Sequence, residues 1–440
     1  DTYNVAVGYD AGDRITTGIS NTLIGGLAGD ALTDADENVA VGASALGADT
    51  LGSKSTAVGK SALAQQNFTS ATETFNTAIG HFAGYGITTG VNNTLIGGLA
   101  GDALTDADAN VAIGVGALGG DTLGSRSIAI GMNALEVQNF TSATNSYNVA
   151  MGFQAGAAVT TGIHNTLIGG LAGDAITVGH RNVAVGKDAL TANVGGAKNI
   201  AIGEGALSTF NSGSSASDTY NTAVGHFAGG VLTTGVQNTL IGGLAGDAIT
   251  TGGNNVAVGY LSLSANTTAS DNVAFGVNAL SSNTTGTQNT ALGRSALRVS
   301  TTASTNTAVG YNALIANTSG STNVAVGREV MQANTTGTQN VAVGGNALDA
   351  NTVGNYNVAL GNAALSADTK GSRSVAIGHN ALNNQNFTSA TDAHNVAVGQ
   401  NAGLNVTTGD QNTYIGGKSG FLTTDGRQNV AVGYNCMANA

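Results

Sequence analysis

Along this chain the apolar residues follow neither the 3.6-residue period of a helix nor the alternation of a half-wet strand. They come in a five-residue phrase, Asn-Val-Ala-Val-Gly with small variations, that returns at a near-constant interval. The phrase first starts at residue 4 and last at residue 429, giving 25 starts with 20 spacings of 17 residues, three of 21 and one of 22. Repeats made of helix pairs need about 33 residues or more, whereas 17 suffice for one turn of a β-solenoid. The pattern predicts an all-β chain, a parallel β-solenoid or β-roll of about 25 coils with a 17-residue repeat. At about 4.8 Å per stacked coil, a single continuous solenoid over residues 1–440 would be a rod of roughly 120 Å.

Numbering each coil from its Asn gives every column a physical role. Position 5 is Gly in all 25 repeats, Gly8 and Gly310 among them, which marks a corner that a Cβ would forbid. Position 1 is Asn, as at Asn4 and Asn306, except for Ser55, Ser127 and Ser374; stacked coils would set amide over amide in a ladder. Position 13 is mostly Thr, for example Thr318, and forms a second ladder. Asn4, Gly8, Asn306, Gly310 and Thr318 represent this structural framework.

Positions 2 to 4 form the strand. Position 4 is apolar in every repeat and shares a face with Val, Ile or Thr at position 2, while position 3 is Ala, Leu or, once, Tyr414. Apolar residues on both faces predict burial on both. One face can meet the coil's own interior, but a 17-residue coil is too narrow to cover the other. Several copies are therefore expected to pack along this strand, with the small Ala residues letting backbones approach a common axis.

A longer period overlies the coils. Residues 4–75, 76–147 and 148–220 each hold three 17-residue coils and one longer coil, whereas the coils over 255–373 are uniform. The long coils carry insertions at 66–75, 138–147, 209–220 and 385–394, and a basic residue (Lys54, Arg126, Lys198 or Arg373) stands just ahead of each long coil. The chain opens and stops inside repeats, so it reads as a window on a longer fibre.

Composition sharpens the picture. There are 67 Gly and no Pro, which excludes collagen and fits a ladder that uses every backbone N–H. Fourteen basic residues against 26 acidic ones argue against a nucleic-acid partner, and no apolar run is long enough to predict membrane insertion in this segment. Cys436 is alone, so no intramolecular disulfide is expected.

The coils Asn306 to Thr322 and Asn323 to Gln339, with Asn-x-Ala-x-Gly, Ala-Leu or Val-Met, and Asn-Thr-Thr/Ser-Gly in turn, resemble the repeat arrays of phage tail fibres. They also resemble the head repeats of trimeric autotransporter adhesins. The resemblance covers all 25 repeats, although the 17-residue unit is longer than the adhesin unit. It implies a left-handed trimeric β-roll that stands off a cell or virion, binds surface ligands in the adhesins and forms shafts in the phage fibres.

Other chemistry is weaker. Gly417-Lys418-Ser419 lacks the glycine spacing and following helix of a phosphate-binding loop. Asp30, Asp34, Asp36 and Glu37, echoed at Asp102, Asp106 and Asp108, suit solvated turns better than calcium, the one cofactor the composition raises. The six His residues lack ligand spacing, and His81 and His226 share a column before Phe-Ala-Gly. Repetition of every polar residue argues against a unique catalytic site, so no enzyme is expected. Sequons at Asn67, Asn139, Asn266, Asn283, Asn317, Asn334, Asn386 and Asn405 follow from an Asn/Thr-rich composition.

The expected function is that of an extracellular structural fibre or adhesin segment that associates with itself and attaches to a host-surface glycan or protein receptor. Phe68, Phe140, Phe210 and Phe387, in the insertions, are the candidate receptor contacts, with lateral chain-to-chain buttressing as the plainer reading. An ice-binding or other regular-surface-binding solenoid is the alternative, although position 14 is mixed and leaves one Thr rank rather than two.

Overall fold

The computed structural model describes residues 2–438, which contain strands and turns and no helix. The chain divides into two compact units, Asp1–Asn221 and Thr222–Ala440. Each is a parallel β-solenoid. The first carries twelve three-residue strands from Val5–Val7 to Ile200–Ile202, and the second thirteen from Thr222–Val224 to Val430–Val432. Within each unit, successive strands pair in parallel and in register, as Thr307↔Val324 and Val324↔Val341 do. At a long coil the partners are 21 residues apart, as in Thr56↔Thr77, so the additional residues leave the stack without disturbing the strands.

Position 5 sets the spacing. Gly310 has φ of +134°, and a Cβ there would lie 2.2 Å from the carbonyl oxygen of Gly327 in the next coil; at Gly8 the corresponding distance is 2.5 Å. No side chain fits at this corner. Three further residues per coil are left-handed, for instance Asn312, Leu314 and Thr322, so each coil turns on four such positions. For Leu314 this conformation costs about 1–2 kcal/mol. Complete burial of its side chain offsets that cost.

Position 1 ties the coil across its width and the coils to one another. The Asn306 side-chain amide donates to the Gly320 carbonyl in its own coil (2.9 Å), while its Oδ1 accepts the backbone N–H of Asn323 (2.9 Å). Asn4 does the same with Gly18 (2.8 Å) and Asn21 (2.8 Å). From Asn21 to Asn412 this column is buried, so each amide is satisfied where water does not reach. Thr318 adds a parallel rung, its hydroxyl donating to the Thr335 carbonyl (3.0 Å).

The coil interior comes in matched sets. Where position 3 is Ala, as at Ala308, position 9 is usually a buried Leu (Leu314) and position 12 a buried polar residue (Asn317). Where position 3 is Leu, as at Leu23, Leu95, Leu167 and Leu240, position 9 is Gly and position 12 is Leu or Ile. The reason is volume. A Cβ on Gly29 would lie 2.8 Å from both Leu23 Cδ2 and Leu32 Cδ1, and one on Gly420 would lie 2.4 Å from the Tyr414 ring. A large residue at position 3 thus requires position 9 to be empty.

One expectation is reversed. Ala at position 3 does not face a neighbouring chain; it is wholly buried in its own coil, and the outward face is made of positions 2 and 4. With Leu314 and Asn317 already filling the narrow interior of their coil, only a methyl fits beside them, and the branched residues turn out.

Gly310→Ala is expected to destabilise the second unit by about 1–3 kcal/mol from backbone strain alone. Thr302→Ala, an exposed control, should stay within about 0.5 kcal/mol of the parent. Equal denaturant midpoints for the two variants would contradict the corner assignment.

Candidate functional site

The outward strand face is the most extensive feature of the surface. Position 4 runs Val7, Ile24, Val41, Val58, Ile79, Ile96 and onward without a polar residue. These side chains are half-buried by their neighbours and otherwise open, Phe275 reaching 52% exposure inside the second unit's stack. Aromatic side chains flank the band at the last residue of a coil (Tyr147, Tyr220, Tyr356) and at position 6 (Phe153, Tyr260, Tyr311), all exposed.

The insertions are built from the inside. Phe68, Phe140 and Phe387 are each 6% exposed and Phe210 is fully buried, so the rings expected to meet a receptor are instead anchors. Burying an aromatic ring is the larger gain, and it fixes the loop base. What protrudes is the small polar tip after each ring: Thr69 to Ala71, Thr141 to Ala143, Ser214 to Ala216 and Thr388 to Ala390. Behind the tip, a two-residue strand such as Thr72–Glu73 pairs in parallel with Gly52–Ser53 of the previous coil.

Three of the four insertions rest on a buried polar cassette. Gln138 Nε2 donates to Asp121 Oδ2 (2.6 Å) and Ser127 Oγ (2.9 Å), its Oε1 accepts the Asn148 amide (2.8 Å), and Asp121 Oδ1 accepts the backbone N–H groups of Gly124 (3.0 Å) and Phe140 (3.2 Å). The same contacts recur at Asp49–Gln66–Ser55 and Asp368–Gln385–Ser374. At the third insertion Asn193 and Phe210 occupy the Asp and Gln columns, and position 1 reverts to Asn199. These residues were overlooked in the sequence, yet the signal is there: Ser replaces Asn at position 1 only where Asp and Gln take position 12 of successive coils.

The basic residues ahead of the long coils clamp the insertions from outside. Lys54 pairs with Glu73 (2.5 Å), Lys198 with Asp218 (2.6 Å) and Arg373 with Asp392 (3.1 Å). Arg126 instead donates to the Tyr147 hydroxyl (2.9 Å) and lies over its ring. The Asp218 carboxyl is held below the usual carboxylate range, chiefly by its bond from Lys198.

The remaining candidates disperse. No three His, Cys, Asp or Glu side chains converge on one point among the described residues. In the acidic cluster, Asp36 and Asp108 accept the backbone N–H groups of Ile19 and Val91 (2.8 Å each), which are turn contacts. His81 and His226 are exposed and pack edge-on against the adjacent Phe82 and Phe227. Ser419 is buried and donates to the Ala431 carbonyl (2.8 Å) of the next coil. Cys436 is half-buried and free. Four sequon residues, Asn266, Asn283, Asn317 and Asn334, are buried, while Asn67 and Asn139 are exposed at insertion bases. The Thr rank at position 13 turns its hydroxyls to the next coil, as Thr284 does to Thr301 (3.0 Å), so they are engaged within the stack.

Against protein-family models and against curated proteins, the chain finds no match.

Burial raises the carboxyl pKa of Asp121 and of Asp368, against the opposing bonds from Gln138 and Gln385. With the folded pKa above the unfolded one, the folded chain binds more protons between the two values, so stability falls as pH rises through that window and levels off above it. A double Asp121→Asn, Asp368→Asn variant should lose this drift. Calorimetry from pH 4 to 7 should show its Tm gaining on the parent as pH increases; a constant difference would contradict the assignment.

Proposed function

We propose that the chain is a structural segment of an extracellular fibre or surface adhesin, assembled from copies of itself packed along the outward strand face. The resemblance to adhesin heads and phage fibres supports three copies and a left-handed coil. The observation that carries the proposal is the uncovered apolar band. In the first unit, eleven coil spacings of about 4.8 Å make it roughly 50 Å long. One to two apolar side chains wide over that length, with Thr at position 2 in five of the first unit's twelve coils, it exceeds the few hundred Å² of contiguous apolar surface that isolated soluble proteins expose. A second copy with the same period can cover it coil for coil, and the flanking aromatic residues are suited to anchor the edges.

Repetition argues for mechanics over catalysis, because a site copied in every coil is a scaffold and not a pocket. Attachment then falls to the features that break the repeat: the exposed insertion tips and the side chains beside them.

Light scattering on the purified chain should give a particle mass that is a multiple of 43.0 kDa. A Val309→Asp, Val326→Asp pair, which places charge on the band while leaving the interior untouched, should reduce that mass towards a single chain. A parent that is already a single chain at micromolar concentration would sink the self-association reading.

A further inference from the structure

Between the ends of the second and third insertions, the first unit carries a run of side chains that sets it apart from the rest of an acidic molecule. The last residue of each coil, the left-handed one before the next buried Asn, reads Tyr147, His164, Arg181, Lys198 and Tyr220 over five consecutive coils. Backbone bonds fix the ranks: His164 N–H donates to the Ser146 carbonyl (2.8 Å), Arg181 N–H to Ile163 (3.0 Å) and Lys198 N–H to His180 (3.0 Å). Neighbouring side chains therefore start about 4.8 Å apart, and Tyr147 and Tyr220 stand roughly 19 Å from each other.

The rings and charges are ordered. Tyr147 and His164 stack with centroids 5.7 Å apart and planes 16° from parallel, and Arg126, one coil earlier, also lies over the Tyr147 ring at 5.7 Å. Lys198 lies over the Tyr220 ring at 5.0 Å, with its charge met by Asp218. Arg181 is exposed, has His180 beside it in its own coil, and makes no ion pair among the described residues. Arg181 stands one rank from Lys198, whose own charge is met by Asp218, so the guanidinium is the cation of this column without a partner among the described residues. The chain has net charge −12 and 26 acidic residues, and still leaves this position without a carboxylate. An anion from outside would supply the missing partner.

The geometry narrows that anion. A duplex nucleic acid needs several phosphate contacts to bind firmly, and one unpaired guanidinium does not supply them. A planar guanidinium suits a single carboxylate or sulfate held by two bonds, and the exposed edges and hydroxyls of tyrosine rings suit the rims of pyranose sugars. We propose that this column binds an acidic oligosaccharide of about four sugars, with Tyr147 and Tyr220 as end contacts and Arg181 as the anion-pairing residue. It deepens the attachment reading by naming a ligand class and a place, and its chemistry is testable apart from that reading.

Calorimetric titration of the full chain with a heparin-derived tetrasaccharide and with tetragalacturonate separates sulfate from carboxylate recognition; cellotetraose serves as the neutral probe. At least one acidic probe should bind, weaken as NaCl rises from 50 to 500 mM, and lose affinity about tenfold or more in Arg181→Ala and in Tyr147→Ala. Cellotetraose should not bind, and Arg294→Ala in the second unit should match the parent. The proposal is overturned if neither acidic probe binds, if Arg181→Ala binds like the parent, or if a twelve-nucleotide oligothymidylate binds as tightly. Light scattering on the same samples keeps the readings apart, because lost saccharide binding at unchanged particle mass removes this site and leaves the fibre standing.

Discussion

Everything in these two units follows from stacking identical strands in parallel at one hydrogen-bond spacing, with the corner after each strand so close to the next coil that no Cβ can be present. A Cβ at Gly310 would meet the carbonyl of Gly327, and the same contact recurs from coil to coil within each unit. Once that corner is fixed, the strand before it is held in register, and the buried Asn ahead of the strand can place its Oδ1 on the next coil's N–H. The glycine content is thus a measure of constraint, because each corner glycine has one conformation and one neighbour. A chain without Pro is the natural companion, since the ladder takes a backbone donor from coil after coil.

The second level of organisation is volume. A coil this narrow does not hold large side chains at positions 3 and 9 together, and the sequence meets that limit in three ways. Ala308, Leu314 and Asn317 form one solution, Leu240, Gly246 and Ile249 a second, and Ala78, Gly84 and Ile87 a third. Leu at both positions 3 and 9 would overlap, so these columns are coupled although they are six residues apart in the chain. The cassettes beneath the insertions follow the same logic in polar form. Gln138 replaces the Asn-to-Asn contact with a longer reach, and Ser127 makes room for it.

Period, strand direction, corner glycines and amide ladder were legible because each repeats about 25 times, and repetition isolates what a position must do. The orientation of the strand was not. Alternation tells which residues share a face, and with apolar residues on both faces it does not say which face turns in; that is decided by Leu314 and Asn317 filling the interior, a relation between distant columns. The phenylalanines of the insertions posed the same ambiguity. An aromatic residue in an irregular loop serves equally well as an anchor or as a contact, and only the packing around Phe140 shows the ring beneath the loop with Thr141 to Ala143 above it.

What varies on a repetitive surface is where function has room to differ, and here the variation is concentrated. Surface ion pairs contribute little to stability, so the placement of Lys54, Lys198 and Arg373 against insertion residues is better understood as positioning than as strength. Each holds a protruding tip at a defined height beside the apolar band. Phe75, Tyr147 and Tyr220 close three of the insertions and, like Tyr356, stand exposed at the band's edge, where packed copies would leave them at the rim. Assembly and recognition can then be served by adjoining columns of one coil. The strand supplies a face that is the same in every repeat, and the residue just before it supplies the differences.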